Sequence, residues 1–396
     1  MKKSVKIWGL VIAASLIAAV SDGIKNNYGI MLGSIIENSG LTYSAVSLAL
    51  ATGQLFFGLV QPFFGIFAEK KGHRLAMLMG IVLILLGLML LPHCHSALAL
   101  LAVLGLLLPA GTGATSYSIV VGALAPKLPS RTASLATGIV NASSGVGNAV
   151  LSPIVQALLL KGGISAAMLV LSFPTLLLIP LCLFLSRREP GEERKKGEAG
   201  SFKGLGECLR SRNYILLLLG FFTCGFHMSL ISNHLPSQVI SYGIAPETSA
   251  LAFSAYGLVT MAGSVLSGAL TGRFSKKNVL GLYYLSRPLI TLLFLLLPKS
   301  VPSVFAFAVL LGLTGAATVP PVTGIILENF GPERVGTLYG LVFFVHQIGA
   351  FLSASLCGVA VDMFSSYVPA WAADIVLSTA AALLSFSIKP RSVSVR

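Results

Sequence analysis

The stretch Gly65-Ile-Phe-Ala-Glu-Lys-Lys-Gly-His-Arg74 is a short basic segment between two long apolar runs. A second stretch, Gly268-Ala-Leu-Thr-Gly-Arg-Phe-Ser-Lys-Lys277, lies 203 residues further along the chain in the same setting. The same separation of 203 residues recurs at two further pairs, Gly40 with Gly243 and Arg131 with Arg334. This constant spacing predicts two halves of one repeated architecture.

Outside these loops the chain is apolar. Of its 396 residues, 55% are hydrophobic and 10% are charged, whereas a soluble domain carries roughly 25% charged residues. Most of the chain is therefore expected to lie in lipid, where only helices and closed barrels satisfy the backbone. Twelve apolar runs are long enough to cross a bilayer as helices. The predicted spans are 7–36, 44–68, 75–92, 97–125, 132–160, 164–186, 213–240, 248–272, 278–298, 302–328, 335–361 and 367–388.

The segment 187–212 interrupts the apolar pattern near the middle of the chain. It is charged and contains several glycines, which is typical of a polar linker. The sequence thus predicts an N-terminal six-helix bundle at 1–186, a cytoplasmic linker at 187–212 and a C-terminal six-helix bundle at 213–396. Both bundles have the same orientation, as in transporters that hold a substrate between two parallel repeats.

The net charge of +14 comes from Lys and Arg in short loops, so no nucleic-acid partner is expected. With the N-terminus inside, the outer loops hold only Lys161 and Lys299 as basic residues. This predicts a multi-pass protein of the cell (inner) membrane with both termini in the cytoplasm. A basic start before an apolar run also fits a cleavable signal peptide, but the apolar character continues after Lys25 and favours an uncleaved first helix.

Motifs for catalysis and cofactors are absent from the sequence. The five cysteines show no CxxC spacing, so neither a disulfide framework nor a metal site is expected. No GxxxxGK[ST] stretch for a nucleotide and no clustered catalytic set occurs. The sequence predicts a protein that is not an enzyme and that uses no cofactor.

The first quoted stretch resembles the loop motif between the second and third helices of the major facilitator superfamily, G-x-L-a-D-r-x-G-r-[RK]. Gly65, Glu69, Gly72 and Arg74 occupy its positions, with Glu in place of the usual Asp. The resemblance implies a monomeric secondary transporter of twelve helices. An acid at a helix end and a basic loop can form a charge–dipole latch, so these four residues are expected to control conformation rather than to bind substrate.

Two further stretches are similar to monocarboxylate porters and to oxalate/formate exchangers. Asp22-Gly23 resembles the acidic-Gly element of the former, and Tyr339–His346 resembles an eleventh-helix stretch of the latter, with His346 at the position of a substrate-binding Lys. These families usually carry an Arg in the eighth helix, whereas span 248–272 has no charge. The resemblance implies a small organic anion as substrate, together with a proton or a counter-substrate.

Ionisable side chains inside the spans are the candidate functional residues, because each costs roughly 2.5–3.5 kcal/mol in hydrocarbon unless it meets a partner or water. Asp22 and Lys25 are three residues apart and share one helix face. They form either a substrate and proton site or a structural ion pair. Asn26 and Tyr28 add polar groups that can hydrogen-bond a carboxylate.

The other candidates lie in the second half. Arg287 is near the middle of the ninth span, where it can bind a carboxylate bidentately or serve a structural pair. His227, with His234 on the same face, and His346 with Gln347 can bind substrate. Histidine titrates near neutral pH and suits proton coupling, although a membrane histidine is often only a packing residue.

The sequence therefore predicts a secondary transporter that moves a small organic anion, such as a monocarboxylate, by proton symport or exchange. The predicted substrate-binding residues are Lys25, Asn26, Tyr28, His227, Arg287, His346 and Gln347, and the predicted proton-coupling residues are Asp22, His227 and His346. Two alternatives stay open. One is an exporter of a drug-like or metabolite cation that contacts Asp22, and the other is a membrane sensor that does not transport.

Overall fold

The computed structural model describes residues 2–128, 130–186, 205–331 and 335–389, and these ranges are helical apart from short turns. The helices of the first half are α1 Lys2–Asn26, α2 Tyr28–Ser39, α3 Tyr43–Lys71, α4 His73–Leu90, α5 Ala97–Leu100, α6 Leu108–Ala114, α7 Tyr117–Leu124 and α8 Ser130–Leu185, with a π-helical stretch at Leu101–Leu107 between α5 and α6.

The second half follows the same plan. Its helices are α9 Leu205–Arg210, α10 Arg212–Ser241, α11 Pro246–Arg273, α12 Lys276–Leu296, α13 Val301–Thr314, α14 Val319–Phe330, α15 Val335–Phe364 and α16 Val368–Phe386. The division of the chain at 186 and 213 stays a prediction, because residues 187–204 lie outside the described part. From Leu205 onward the predicted linker is helical, and Cys208 is buried in the same apolar cluster as Tyr214.

Eleven stretches of the described chain are long and apolar enough to cross a membrane. One of them lies within α8, whose 56 residues would extend about 84 Å as a straight helix, far beyond a hydrocarbon core of about 30 Å. Gly162 and Gly163 leave helical geometry at this point, with φ of −147° and 65°. The break divides α8 into the fifth and sixth spans, so the predicted twelve crossings are confirmed.

Three other spans are interrupted where the sequence predicted continuous helices. The first breaks at Asn27, the fourth at Thr115 and Ser116, and the tenth between Thr314 and Val319. At the first break, the Asn27 side chain donates to the Gly23 carbonyl at 2.7 Å. At the second, the Thr115 hydroxyl donates to the Gly111 carbonyl at 3.1 Å. Such local bonds compete with the backbone ladder of a helix.

The internal repeat is visible in the geometry as well as in the sequence. The Ser21 hydroxyl lies 2.6 Å from that of Thr115, and the Cys224 thiol lies 3.2 Å from the hydroxyl of Thr318. The members of these two pairs are again 203 residues apart. Gly40 and Gly243 both adopt positive φ, 68° and 79°, which glycine reaches without steric cost. The two halves therefore share their breaks and turns.

Within the described residues, the most extensive contacts between the halves join α3 with α15, α8 with α11, and α2 with α10. Small residues allow close approach at these contacts, as is usual between membrane helices. A Cβ built on Gly58 of α3 would lie 2.6 Å from Cγ of Gln347, and one on Gly145 would lie 2.8 Å from the Gly257 carbonyl oxygen. The space between the halves is thus narrow at the centre of the molecule.

Candidate functional site

Lys25 and Asp22 lie at the end of α1, just before the break at Asn27. The Lys25 Nζ is 3.6 Å from Oδ1 of Asp22 and 3.9 Å from the ring centre of Phe57 on α3. The two side chains are 19% and 14% exposed. They share one helix face, as their spacing predicted, and they are partly solvated within the membrane-spanning part.

A small cavity adjoins Lys25. The volume open to the centre of a water molecule is about 10 Å³, which is room for about one water. The cavity is lined by Lys25, Tyr28, Leu50, Gly53, Gln54, Phe57, Pro109 and Thr112. The hydroxyl of Tyr28 is buried and finds no hydrogen-bond partner among the described residues. Asn26, the last residue of α1, is half-buried beside this group.

An aromatic row connects Lys25 with the second half. Phe57 packs edge-on against Phe343 of α15, with ring centres 6.5 Å apart, and Phe343 stacks on His346 at 5.4 Å. His346 is half-buried, and its Nδ1 has no partner in the described part of the chain. Gln347 contacts Gly58 across the interface. Aromatic contacts across the interface thus connect Lys25 of the first half with His346 of the second, while the residues that line the cavity all belong to the first half.

Arg287 is fully buried inside the second half instead of facing this site. Its Nη2 donates to the carbonyl oxygens of Thr314 and Gly315, both at 3.0 Å, and lies 3.6 Å from the Cys224 sulfur. These carbonyls belong to the end of α13, where a cation is stabilised by the helix dipole and by unpaired acceptors. The geometry favours the structural role that the sequence left open, and substrate contact stays a prediction.

His227 is also fully buried, and its partner was missed by the sequence analysis. Its Nδ1 lies 2.8 Å from Oδ2 of Asp374 on α16, and both side chains are 0% exposed. Asp374 is the sole acidic residue that follows Asp362 in the chain. The rule that selected Arg287, an ionisable group within an apolar run, also selects Asp374, so the signal was present in the sequence.

His234 lies between the halves. Its Nε2 is 3.2 Å from the Ala354 carbonyl oxygen, and its Nδ1 is 2.9 Å from the Tyr43 hydroxyl. Because the carbonyl only accepts, Nε2 carries the proton and Nδ1 accepts from Tyr43. The Tyr367 hydroxyl donates to Tyr43 at 3.3 Å. These residues lie at the membrane face that carries the turns at Gly40 and Gly243, which we call the distal face.

The loop motif lies at the junction of α3 and α4. Gly72 ends α3, and its N–H donates to the Ala68 carbonyl at 2.8 Å. The carbonyl oxygen of Arg74 accepts from the Cys182 thiol at 3.8 Å. A Cβ on Gly65 would meet nothing within 4 Å in the described part. The control of conformation by Glu69 and Arg74 stays a prediction.

Two buried asparagines were also not selected from the sequence. The Asn27 amide donates to Oδ1 of Asn148 at 3.4 Å, and the Asn148 amide donates to the Phe253 carbonyl at 3.4 Å. They link the broken first span through α8 to α11 of the other half. Burying a neutral amide in hydrocarbon costs less free energy than burying a charged group. An asparagine within an apolar run is therefore a weaker indication of a functional site.

Twelve crossings, a repeated half and a partly exposed ion pair at membrane depth are the features of a polytopic transporter fold. The model of the Major Facilitator Superfamily matches residues 12–354 and, again, 217–395. The chain therefore belongs to the Major Facilitator Superfamily, whose members are transporters rather than enzymes. It is a multi-pass membrane protein.

Curated relatives agree with this assignment. The chain is 25% identical to an uncharacterised MFS-type transporter, YcxA, of Bacillus subtilis (strain 168), over 91% of this chain and 90% of that protein. It is 25% identical to monocarboxylate transporter 12 of Mus musculus, over 71% and 63%, and 27% identical to the oxalate:formate antiporter of Oxalobacter formigenes, over 58% and 55%. It thus spans less than two thirds of the length of the latter two.

A solved structure shows the same fold. The crystal structure of a D-xylose-proton symporter superposes with a TM-score of 0.77 at 14% sequence identity, over 97% of this chain and 98% of that one. At this identity the likeness concerns the fold alone. The predicted all-α membrane architecture, with two six-helix bundles in parallel orientation, is confirmed.

Proposed function

We propose that this protein is a secondary transporter that carries a small organic anion of the monocarboxylate class by alternating access. The observation that carries the proposal is the central site, where Lys25 of one half and His346 of the other flank the aromatic pair Phe57 and Phe343. A carboxylate accepts charge-assisted hydrogen bonds from such groups, and aromatic faces pack against an apolar remainder. The names of two relatives, a monocarboxylate transporter and an oxalate:formate antiporter, support the same substrate class.

The ion pair in the first half suggests how binding changes the site. Asp22 and the Phe57 ring share the charge of Lys25 in the resting site. An incoming carboxylate competes with Asp22 for Lys25, so substrate binding weakens the resting ion pair. Proton symport moves a proton together with the anion, while exchange of one anion for another needs no net proton movement.

The proposal includes an orientation in the membrane. We infer that both termini lie on the cytoplasmic side of the inner membrane, because the basic residues gather in the loops on that side, and the distal face is then the outer one. The contacts at Tyr43 and His234 close the distal side, and a monomer suffices because both halves belong to one chain. Rocking of the halves about the central site then exposes it to each side in turn.

Uptake by proteoliposomes tests the proposal. Purified protein is reconstituted, and accumulation of radiolabelled formate, acetate and lactate is measured. Lys25→Gln is expected to lower kcat/KM about 10- to 100-fold, because a hydrogen bond to a charged group contributes about 1.5–3 kcal/mol. The matched control Lys161→Gln removes an exposed lysine at the distal turn of α8 and is expected to retain uptake.

Full anion uptake by Lys25→Gln would contradict the anion site. Transport of a cationic dye that is lost in Asp22→Asn and kept in Lys25→Gln would instead establish the cation exporter. A sensor would bind a ligand, seen as a rise in thermal stability with ligand concentration, without moving any of it across the membrane.

A further inference from the structure

The interior of the second half holds a cluster of three ionisable side chains. His227 on α10, Arg287 on α12 and Asp374 on α16 are each 0% exposed, and α16 packs against both of the other helices. His227 contacts Asp374 at 2.8 Å, and Asp374 acts electrostatically on Arg287. Each charge in a dry interior costs several kcal/mol unless it is compensated. The net charge of the cluster therefore decides its energy.

The cluster retains polar atoms without a partner. Within the described residues, no hydrogen bond reaches Oδ1 of Asp374, Nε2 of His227, or Nε and Nη1 of Arg287, nor the hydroxyls of Thr291 and Ser378. A pair that served packing alone would be satisfied on all sides, because unsatisfied buried polar atoms are costly. The open positions on both members of the pair are suited to receiving and releasing a proton.

Two charge states of this cluster have a low electrostatic free energy. With neutral His227, the charges of Arg287 and Asp374 cancel. With one added proton, the cluster carries a charge of +1, which needs an anion nearby. The central site provides that position, because Cys224 contacts Arg287 on one side and interacts with His346 on the other. An anion bound beside His346 thus lies close enough to stabilise the protonated cluster, with Cys224 between them.

We propose that the His227–Asp374 pair is the proton-binding site of this transporter. The proton comes from water on one side of the membrane, binds at the open Nε2 of His227 while Nδ1–H keeps donating to Oδ2 of Asp374, and leaves to water on the other side. An anion of charge −1 travels with it, so the cycle moves no net charge. This inference rests on the proposed function, adds Asp374 to it, and chooses His227 among the predicted proton-coupling residues.

Other titratable groups act on the same region and belong to the account. Those that act on Arg287, on Cys224 or on a neighbour of theirs are Cys224, Tyr256, Tyr284, Tyr339 and His346. Arg287 supplies the fixed positive charge among them. Because His227 touches the carboxylate of Asp374 directly, the proton is assigned to this pair.

Tryptophan fluorescence tests the site without any substrate. The chain has two tryptophans, and the Trp371 ring centre lies 6.4 Å from that of His227. Trp8→Phe leaves Trp371 as the single reporter. A charged imidazolium quenches a neighbouring indole, so this variant is expected to show one pH-dependent step in its fluorescence.

Three substitutions in the Trp8→Phe background assign the step. His227→Asn is expected to abolish it, and Asp374→Asn to abolish it or displace it by more than about one pH unit, since an adjacent opposite charge shifts titration by about 1–3 units. The matched control Glu247→Gln removes an exposed carboxylate at the start of α11 and is expected to keep the step. Absence of a step in Trp8→Phe, or a step that neither His227→Asn nor Asp374→Asn changes, would overturn the assignment.

Transport measurements then test whether proton binding by the His227–Asp374 pair is coupled to anion movement. In proteoliposomes, formate uptake driven by a pH gradient is compared with formate exchange at equal pH, and the ratio of the two fluxes is the readout. His227→Asn and Asp374→Asn are expected to bring this ratio down to about one, while Glu247→Gln keeps it. A ratio unchanged in both variants refutes the inference. If the unaltered protein carries no formate, acetate or lactate, the proposed function fails, and the fluorescence step still decides whether the pair binds a proton.

Discussion

At the scale of single residues, Lys25 and Arg287 show that the surroundings of a cation determine whether it suits ligand binding or a structural role. Lys25 keeps 19% exposure beside a cavity and shares its charge with Asp22 and an aromatic ring. Arg287 has no exposure and donates to two carbonyls at a helix end. The first cation is partly exposed, as the proposed substrate contact requires, whereas the second is held by backbone within the second half.

The buried arginine gives a prediction about stability. Arg287→Gln is expected to destabilise the protein by about 3–5 kcal/mol, because Asp374 then remains as an uncompensated buried charge. The double variant Arg287→Gln/Asp374→Asn is expected to recover part of this loss, with a coupling of about 0.5–3 kcal/mol. Thermal unfolding of the purified protein in detergent measures both effects.

A more exposed ion pair serves as the control for Arg287 and Asp374. Lys276 pairs with Glu328, with side chains 27% and 53% exposed, and such surface pairs contribute about 0–1 kcal/mol. Lys276→Gln is therefore expected to change unfolding little. Strictly additive losses in the Arg287 and Asp374 variants would show that the two charges do not interact.

At the scale of helices, the breaks in the spans lie beside the buried and partly buried cations. α1 ends at Asn26, directly after Lys25, and α13 ends at Thr314, whose carbonyl Arg287 binds. A broken helix exposes backbone groups that side chains or ligands can bind, and in membranes this occurs where the backbone is buried in protein or lines a cavity. The breaks thus lie where function needs polar groups at membrane depth.

The contact between α10 and α15 gives a second prediction. A Cβ on Gly225 would collide with the carbonyl of His346. Gly225→Ala is therefore expected to cost about 1–3 kcal/mol by overpacking and, by displacing His346, to reduce anion uptake as well. Thermal unfolding and proteoliposome uptake measure the two consequences.

Gly268→Ala is the matched control for this substitution. The position lies inside α11 and faces open space in the described part. Alanine there is expected to stabilise the helix by about 0.5–1 kcal/mol. If both glycine variants behave alike, close approach of α10 and α15 is not what Gly225 provides.

At the scale of the whole molecule, the described contacts between the halves reach the distal face. The Ser44 N–H, at the start of α3, donates to Oδ2 of Asp362 at 2.9 Å, so a carboxylate of the second half caps a helix of the first. Burial raises the pKa of Tyr367 to about 12. Its hydroxyl therefore stays protonated near neutral pH and keeps donating to Tyr43.

Loss of these bonds is expected to favour opening of the distal face. A typical hydrogen bond contributes about 0.5–1.5 kcal/mol, so Tyr43→Phe and Asp362→Ala are each expected to raise the ratio of open to closed molecules about 2- to 12-fold. Spin labels are attached to Glu37→Cys and Glu247→Cys, whose native side chains are exposed near this face. Double electron–electron resonance then measures the distance between the two labels, one on each half.

The five native cysteines are buried, which limits background labelling. Thr52→Val serves as the control, because the Thr52 hydroxyl bonds to the Leu48 carbonyl within its own helix. Unaltered distances in both variants, or equal changes in Thr52→Val, would show that these bonds do not hold the halves together.

The fold could be predicted almost completely from the sequence, and the site only in part. The sequence alone reveals the twelve apolar runs, the spacing of 203 residues and the loop motif, because none of them depends on contacts between helices. The pair of Asp22 and Lys25 was predicted as well, because three residues along a helix fix a shared face. The partners of His227 and Arg287 were not, since they lie on other helices.

The sequence by itself determined that this protein crosses the membrane twelve times in two repeated halves, because the length and order of apolar runs dictate which segments lipid accepts. The tertiary structure alone decided which charges meet. It placed Lys25 and His346 at the interface of the halves and enclosed His227, Arg287 and Asp374 within one of them. The physical reason is the rotation of each helix about its axis, which is set by close packing of side chains on neighbouring helices.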